Sequence, residues 1–161
     1  MELYESRPFE ETDLLLSSGL SNYVFPPVPD TKATSYEVGL VVPKGIRPES
    51  YADVVSEIGE LILERFFDEE IRPAPGQLID SKALQQHGAQ DKSHLSTVLL
   101  GWSVWLPENI AWDQHAELGP LAILDLIPLT SGEADLYQKN VQAFEAGTQS
   151  GEIDLLDFAR G

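Results

Sequence analysis

The stretch LAILDLIPLTSGE, residues 121–133, decides the fold of this chain. Residues 121–129 are apolar at both sets of alternating positions, and only Asp125 interrupts them. A strand of this composition is typical of the centre of a sheet, where both faces are covered. Thr130 and Glu133 then have the spacing of a capping box, in which each side chain binds a backbone N–H of the other residue at a helix start. The stretch therefore predicts a central strand that leads directly into a helix.

Four further segments predict additional strands and a helix. Period-two alternation with β-branched residues over 36–42 predicts a strand with one buried face. Residues 98–106 predict a second strand, and residues 14–16 predict a short strand that ends in a turn. Apolar residues recur at helical spacing over 48–67, which predicts a helix with Pro48 in its first turn.

The remaining segments complete a small mixed architecture. We expect the second helix to run from Thr130 to Gly147 and residues 153–158 to dock on the core. Residues 77–95 are polar, and we interpret them mainly as loop. The buried stripe of the second helix is expected to consist of Ala134, Tyr137, Val141 and Phe144. The sum is an α/β fold of the α+β type, with a mixed, mostly antiparallel central sheet and two main helices packed against it. At 161 residues we expect a single domain that spans 1–161.

The charge balance restricts the partners that the chain can attract. Asp and Glu number 27 against 10 Lys and Arg, for a formal net charge of −17. Such a surface repels phosphate backbones and anionic membranes, so we expect neither nucleic acid nor membrane as a partner. A basic protein would be steered toward it. The alternative interpretation is that acidity only keeps the protein soluble.

The absence of cysteine, of a long apolar run and of a basic N-terminus bears on the cellular compartment of the protein. Cysteine is absent, which excludes disulfides and thiolate catalysis and fits a reducing environment. No apolar run approaches the 18 or so residues of a membrane span. The first residues, MELYE, are acidic where a signal peptide is basic. We therefore expect a cytoplasmic protein.

Few residues point to catalysis. The sequence has no phosphate-binding glycine loop and no G-x-S-x-G nucleophile elbow. His87, Asp91 and His94 have a spacing that would place three ligands on one helical face, but a surface loop is the simpler interpretation. Asp125 stands out in an apolar strand, where a structural carboxylate with a hydrogen-bond partner is the simpler interpretation. We expect no catalytic residues, no metal and no cofactor.

A carboxylate stripe on the first helix is the most informative cluster. Its members lie within about 60° of one another on a helical wheel, opposite the apolar face; they are Asp53, Glu57, Glu60 and Glu64. Like charges at this spacing cost a few tenths of a kcal/mol per pair, so helix formation gains nothing from them. The stripe is either a solvated face or a docking strip for a Lys/Arg-rich partner.

Several segments together resemble the suppressor of fused domain family. Residues 15–22, LLSSGLSN, resemble a strand–turn motif of that family, and residues 36–43, YEVGLVVP, resemble its following strand. Residues 60–67 are similar to the end of its helix, and residues 123–133 are similar to its strand–helix junction. The order and spacing of these motifs carry the resemblance, together with Gly147 and residues 153–157.

The resemblance implies a non-catalytic α/β domain. Animal members bind a transcription factor, partly by gripping an extended peptide, and bacterial single-domain members are associated with immunity to toxins delivered between competing cells. Our first hypothesis is therefore a protein-binding domain, an immunity protein against a basic, nuclease-type toxin. The alternatives are a regulatory scaffold that binds a peptide at a sheet edge, and a hydrolase or metal enzyme that uses Asp125 or the His87 group. The expected contact residues are those of the stripe and, in the first turn, Gly19, Ser21 and Asn22. The oligomeric state is left open.

Overall fold

A computed structural model describes residues 12–25, 33–91, 93–103, 111–113 and 120–160 of the chain. Its strands are β1 (Thr12–Leu16), β2 (Ser35–Pro43), β3 (Leu78–Asp80), β4 (Leu95–Trp102), β5 (Trp112–Asp113) and β6 (Leu121–Thr130). Its helices are α1 (Ala52–Glu69), α2 (Lys82–Asp91), α3 (Ser131–Lys139) and α4 (Val141–Ser150). Among these helices, none combines the length and apolar character that crossing a membrane requires.

The strands form one sheet with β6 at its centre. The order is β1–β2–β6–β4–β3, and β5 pairs with the first residues of β6. β2 and β6 run parallel, whereas the other pairs are antiparallel. A parallel pair needs a long crossover, and here the intervening chain contains α1, β3, α2 and β4. The predicted mixed, mostly antiparallel sheet and its central strand are confirmed.

Helices cover both faces of the sheet. Since strand residues alternate between faces, Leu124 and Leu126 lie on one face, and Ile127 and Leu129 lie on the other. The first pair packs with β2 and with the buried residues of α1, which include Val54, Val55, Ile58 and Ile62. The second pair packs with α3 and α4 through Ala134 and Phe144. The molecule therefore has three layers, with the sheet in the middle.

The predicted strand over 36–42 forms as β2, but the prediction that only one of its faces is buried was wrong. Residues 35–42 are all buried. The second face carries Glu37 and Gly39, and both are covered by segments that precede β2. Gly39 packs against the side chains of Leu14 and Leu16 from the neighbouring strand. Alternation in the sequence could not reveal this covering, because it depends on β1 and on the turn that follows it.

The prediction of a loop over 77–95 was also wrong, because this segment contains β3 and α2. The start of α2 is stabilised by Glu57 of α1, whose carboxylate accepts hydrogen bonds from Ser81 Oγ at 2.6 Å and from the backbone N–H groups of Lys82 and Ala83 at 3.0 Å each. Leu84 is fully buried and fixes the helix to the core. Ser81 also caps the helix locally, since its Oγ accepts from Leu84 N at 3.1 Å. The acceptor that Glu57 supplies from another helix leaves no local signal in the sequence.

The expected single helix from Thr130 to Gly147 is divided into α3 and α4. The capping box is confirmed, since Glu133 N donates to Thr130 Oγ1 at 3.2 Å and Thr130 N donates to Glu133 Oε2 at 2.8 Å. Asn140 interrupts the helix, and its side chain caps α4 by accepting from Ala143 N at 3.0 Å. Of the predicted stripe, Ala134 and Phe144 are buried and Tyr137 is partly buried, but Val141 is exposed.

Two helix ends differ from the prediction. Chain reversal after α4 occurs at Gly151, which has a φ of 80°, rather than at Gly147. Gly147 instead allows close packing, because a Cβ there would lie 2.9 Å from Ile153 Cδ1 and that side chain would have to shift. The first helix was expected over 48–67. It begins with a 3-10 turn at Pro48–Tyr51 and continues as α1 to Glu69.

Two other expectations concern residues 153–158 and the strand over 98–106. The expected docking of residues 153–158 is confirmed, because Phe158 is buried in the main core beside Tyr51. Arg160 then binds Glu133 Oε1 at 2.8 Å. The strand expected over 98–106 begins earlier, at Leu95, and extends to Trp102; residues 104–106 lie outside the described residues.

We predict that Glu57→Ala lowers the free energy of unfolding by about 1–3 kcal/mol, because it leaves the α2 N-terminus without its charged acceptor. Glu60→Ala is the matched control, since Glu60 is exposed on the same helix and should change stability by less than about 0.5 kcal/mol. Urea unfolding followed by circular dichroism measures both. Equal losses in the two variants would contradict this role for Glu57.

Candidate functional site

The turn after β1 is tied to β2 by the buried carboxylate of Glu37. Glu37 Oε1 accepts hydrogen bonds from Gly19 N at 3.0 Å, Ser21 N at 3.0 Å and Ser21 Oγ at 2.5 Å. Glu37 Oε2 accepts from Ser17 Oγ. Ser17 also pairs with Val38 through its backbone N–H, at 2.8 Å. The turn, residues 17–23, is therefore held by one side chain from the neighbouring strand, and we call it the Glu37 turn.

Backbone conformation and charge both contribute to this arrangement. Gly19 has a φ of 115°, a conformation that other residues adopt only with strain. Glu37 is 7% exposed. Its burial raises the pKa of the carboxyl group, but the hydrogen bonds from Ser17, Ser21 and Gly19 outweigh burial and hold the pKa below its ordinary value. Glu37 is therefore ionised at neutral pH.

A groove lies between the Glu37 turn and α1. Its volume is about 420 Å³. Apolar side chains of β1 and α1 line it, among them Leu15, Val55 and Leu63, together with Glu60. Gly59 also lines it, and a Cβ at that position would have no atom within 4 Å. The groove is thus open on the side that α1 provides.

Exposed apolar side chains border this groove. Leu16 and Tyr23 line it and are each 44% exposed. Phe67, near the end of α1, is 63% exposed, and its ring lies edge-on to Tyr23 with 6.1 Å between the ring centroids. Contiguous exposed apolar groups next to a concavity are typical of an interaction site. We call Leu16, Tyr23 and Phe67 the apolar rim.

The carboxylate stripe divides into two pairs. Asp53 and Glu57 engage α2, since Asp53 Oδ1 lies 3.0 Å from His87 Nε2 and Glu57 caps the helix. Glu60 and Glu64 are exposed. Glu60 lines the groove that the Glu37 turn also lines, so the structure brings together two regions that the sequence nominated separately.

The three turn residues nominated from the sequence have different positions. Gly19 lines the groove, and its N–H binds Glu37. Ser21 is directed to Glu37 through both its N–H and its hydroxyl group. Asn22 is exposed. A role for these residues and for the stripe in partner binding stays a prediction.

The candidate catalytic residues lie elsewhere. His87 belongs to α2 and stacks on Tyr51 with ring centroids 4.4 Å apart. His94 is exposed and follows the end of α2, so the helical spacing that would align it with His87 is not maintained; the Asp91 side chain lies outside the described residues. Within the described ranges, no three His, Asp or Glu side chains are grouped so that they could hold a metal ion.

Asp125 lies within the sheet and does not line the groove. It is 2% exposed and pairs in register with Gly39 of β2 and Gly101 of β4. Directly paired residues share a face, so its carboxylate has a glycine on either side.

Sequence reasoning missed two features of the site. Glu37 interrupts an apolar run in the same way as Asp125, and the serine-glycine-serine spacing of residues 17–21 precedes it. An acidic residue within an apolar strand, together with a preceding turn rich in serine and glycine, was the sequence signal for a buried hydrogen-bond acceptor. The exposure of Phe67 also had a signal, because at 100° per residue Phe67 lies about 20° from Glu60 on the helical wheel, on the side of the carboxylate stripe.

Comparisons with known proteins support the fold. No protein-family profile and no curated protein sequence matches the chain. A crystal structure described as that of a suppressor of fused (SUFU) homolog from Neisseria gonorrhoeae FA 1090 is similar, with a TM-score of 0.61. The sequences are 14% identical over 94% of this chain and 70% of that one. The chain therefore has a suppressor-of-fused-like fold, as the sequence motifs implied.

We predict that Glu37→Gln removes a pH-dependent part of the stability. Because the folded pKa lies below the ordinary value, the wild-type carboxylate stabilises the fold above that value and loses this contribution as pH falls through the folded pKa. At pH 7 we expect a loss of about 1–3 kcal/mol in the variant. As pH falls from neutral through the ordinary glutamate range toward the lower folded pKa, the difference between wild type and variant should shrink.

Urea midpoints measured across that pH range test this prediction. Glu152→Gln is the control, because Glu152 is exposed and the charge change is the same. A constant difference between wild type and Glu37→Gln at every pH would show that Glu37 acts without its charge.

Proposed function

We propose that this chain is a non-catalytic protein-binding domain that acts as a bacterial immunity protein and neutralises a basic toxin domain. The observation that carries the proposal is the groove, where the apolar rim lies next to exposed carboxylates. An apolar surface beside unpaired charges of one sign is suited to bind a protein that offers apolar groups and the opposite charge.

The two kinds of group at the groove contribute differently to binding. Leu16, Tyr23 and Phe67 supply apolar area that a partner can remove from water. Glu60 and Glu64 are exposed, and Glu60 has no hydrogen-bond partner among the described residues. Such carboxylates orient an approaching cationic surface and suppress contacts with acidic proteins.

The net charge favours a basic partner over other macromolecules. At −17 the protein accelerates encounters with cationic surfaces and slows those with nucleic acids and anionic membranes. Nuclease toxins carry basic clefts for their phosphate substrates, so an acidic groove complements them. The suppressor-of-fused-like fold agrees with the immunity role that the sequence resemblance implies, and the lack of cysteine agrees with the cytoplasmic location that we propose for it.

A regulatory scaffold is the second candidate, because β1 is an edge strand of the described sheet and lies beside the groove. Strand addition at such an edge would use backbone hydrogen bonds. It would therefore give peptide binding that depends little on salt, which separates it from the first candidate.

The first experiment is affinity capture from a lysate of the source organism at low salt, followed by elution with salt and mass spectrometry. We expect one basic protein to be recovered and released by salt. A stoichiometric metal ion retained by the purified protein would instead favour an enzyme built on the His87 group or Asp125.

We predict that the double variant Glu60→Lys, Glu64→Lys slows association with that partner by about tenfold or more and flattens its salt dependence. Glu57 is left unchanged, because its reversal would remove the cap of α2. Stopped-flow or surface plasmon resonance measurements at several salt concentrations give the rates.

The matched control is Glu145→Lys, Glu152→Lys, which changes the net charge equally at exposed positions on and just after α4, the helix packed on the opposite face of the sheet. Association with this control should stay near the wild-type rate. Equal slowing in both double variants would mean that net charge alone matters, and no slowing in either would exclude Glu60 and Glu64 from the interface.

A further inference from the structure

We infer that the groove receives one large apolar side chain of the partner, presented next to a lysine or arginine that pairs with Glu60. This inference rests on the proposed function and goes further, because it defines the segment of the partner that is recognised. It names an anchor residue in addition to a complementary charge.

The groove has room for such an anchor. Its volume of about 420 Å³ leaves space for one large side chain in a groove that is open to solvent. Much of the lining is apolar, and Val55 at its base is 5% exposed. Tyr23 offers an exposed ring at the edge, against which an aromatic anchor could pack.

Gly59 is the second observation. Glycine inside a helix is less favourable than alanine, and the space around Gly59 would admit a Cβ with no atom within 4 Å. Gly147 differs, since a Cβ there would collide with Ile153. Packing within the chain therefore explains Gly147 but not Gly59. What Gly59 does provide is depth in the groove on the side of α1.

The charge around the groove selects the group next to the anchor. Glu60 lines the groove, and Glu64 lies four residues further along α1, on the same side of the helix. A side chain that fills the apolar lining therefore leaves its neighbours close to two exposed carboxylates. Lysine or arginine beside the anchor would be attracted by these carboxylates, whereas aspartate or glutamate would be repelled.

Electrostatic repulsion argues against a second copy of this chain, nucleic acids and anionic membranes as occupants of the groove. A second copy of this chain would bring a net charge of −17 toward another −17. Nucleic acids and anionic membranes carry the same sign. The occupant consistent with the surface is a cationic protein segment with one exposed apolar residue.

The anchor and the carboxylates should affect different rate constants. Long-range charge chiefly determines how often partners meet, whereas a desolvated anchor determines how long the complex lasts. A variant that fills the groove should therefore increase the dissociation rate and leave the association rate near that of the wild type. The charge-reversal variant described above should do the opposite.

The test uses synthetic probes, so that it does not depend on identifying the partner. N-acetyl-Trp-Lys-Lys-amide, N-acetyl-Ala-Lys-Lys-amide and N-acetyl-Trp-Gln-Gln-amide are titrated into the ¹⁵N-labelled protein at low salt. We expect the first peptide to bind at least about tenfold more tightly than either of the others and to shift the amides of Gly19, Leu20 and Gly59.

Gly59→Leu places a side chain in the groove and should weaken binding of the Trp-Lys-Lys peptide at least about tenfold. Ala146→Leu is the matched control, since it adds a leucine at an exposed position of α4, away from the groove. Thermal unfolding of both variants verifies that each remains folded.

Equal affinity for the Trp and Ala peptides, lost in the Glu60→Lys, Glu64→Lys variant, would overturn the anchor while leaving the proposed function standing. Unchanged binding in Gly59→Leu, or no amide shifts at millimolar peptide, would also overturn it. A dimer in sedimentation equilibrium that Gly59→Leu disrupts would assign the groove to a second copy. Failure of the lysate capture, by contrast, bears on the proposed function and not on these titrations.

Discussion

Two-sided burial of the central strand β6 is the constraint on which the rest of the structure depends. A strand with apolar side chains on both faces must be covered on both, and here α1 covers one face while α3 and α4 cover the other. The parallel pairing of β2 with β6 then requires a crossover, and that crossover carries α1. The position of α1 beside the turn after β1, and with it the groove, follows from this connection.

Two carboxylates connect segments that the sheet alone would not hold. Glu37 binds the N–H groups of the Glu37 turn, and Glu57 binds those at the start of α2. Each supplies an acceptor from another element, and an ionised acceptor makes stronger hydrogen bonds than a neutral one. At α2 it adds to a local cap, in which Ser81 Oγ accepts from Leu84 N at 3.1 Å. The acidic residues of this protein therefore have different roles. Some of their carboxylates stabilise the fold, whereas Glu60 and Glu64 face solvent.

Within α1, one carboxylate contributes to stability and a neighbouring carboxylate is available for the proposed binding. Glu57 and Glu60 lie three residues apart on α1, yet one caps α2 and the other lines the groove. The Glu37 turn forms the opposite wall, so the backbone on that side of the groove is held by the hydrogen bonds of Glu37. A partner would therefore bind a backbone that is already ordered. Binding would cost this protein less conformational entropy than ordering a disordered segment would.

Local patterns in the sequence determined the strands around residues 36–42 and 121–129, the first helix and the Thr130–Glu133 capping box, because periodicity and caps involve residues a few positions apart. They also determined the net charge and the presence of a carboxylate stripe. Only the tertiary structure decided that Glu57 supports the start of α2, that β2 is buried on both faces and that Glu60 and Gly19 line one groove. The division of the last helices is local, because Asn140 caps α4 through Ala143, three positions further on. The hydrogen bonds that cover β2 with the Glu37 turn and that tie α2 to α1 join residues far apart in the chain, 20 positions for Ser17 and Glu37 and 24 for Glu57 and Ser81. No local window contains both partners, so only the folded chain brings donor and acceptor together.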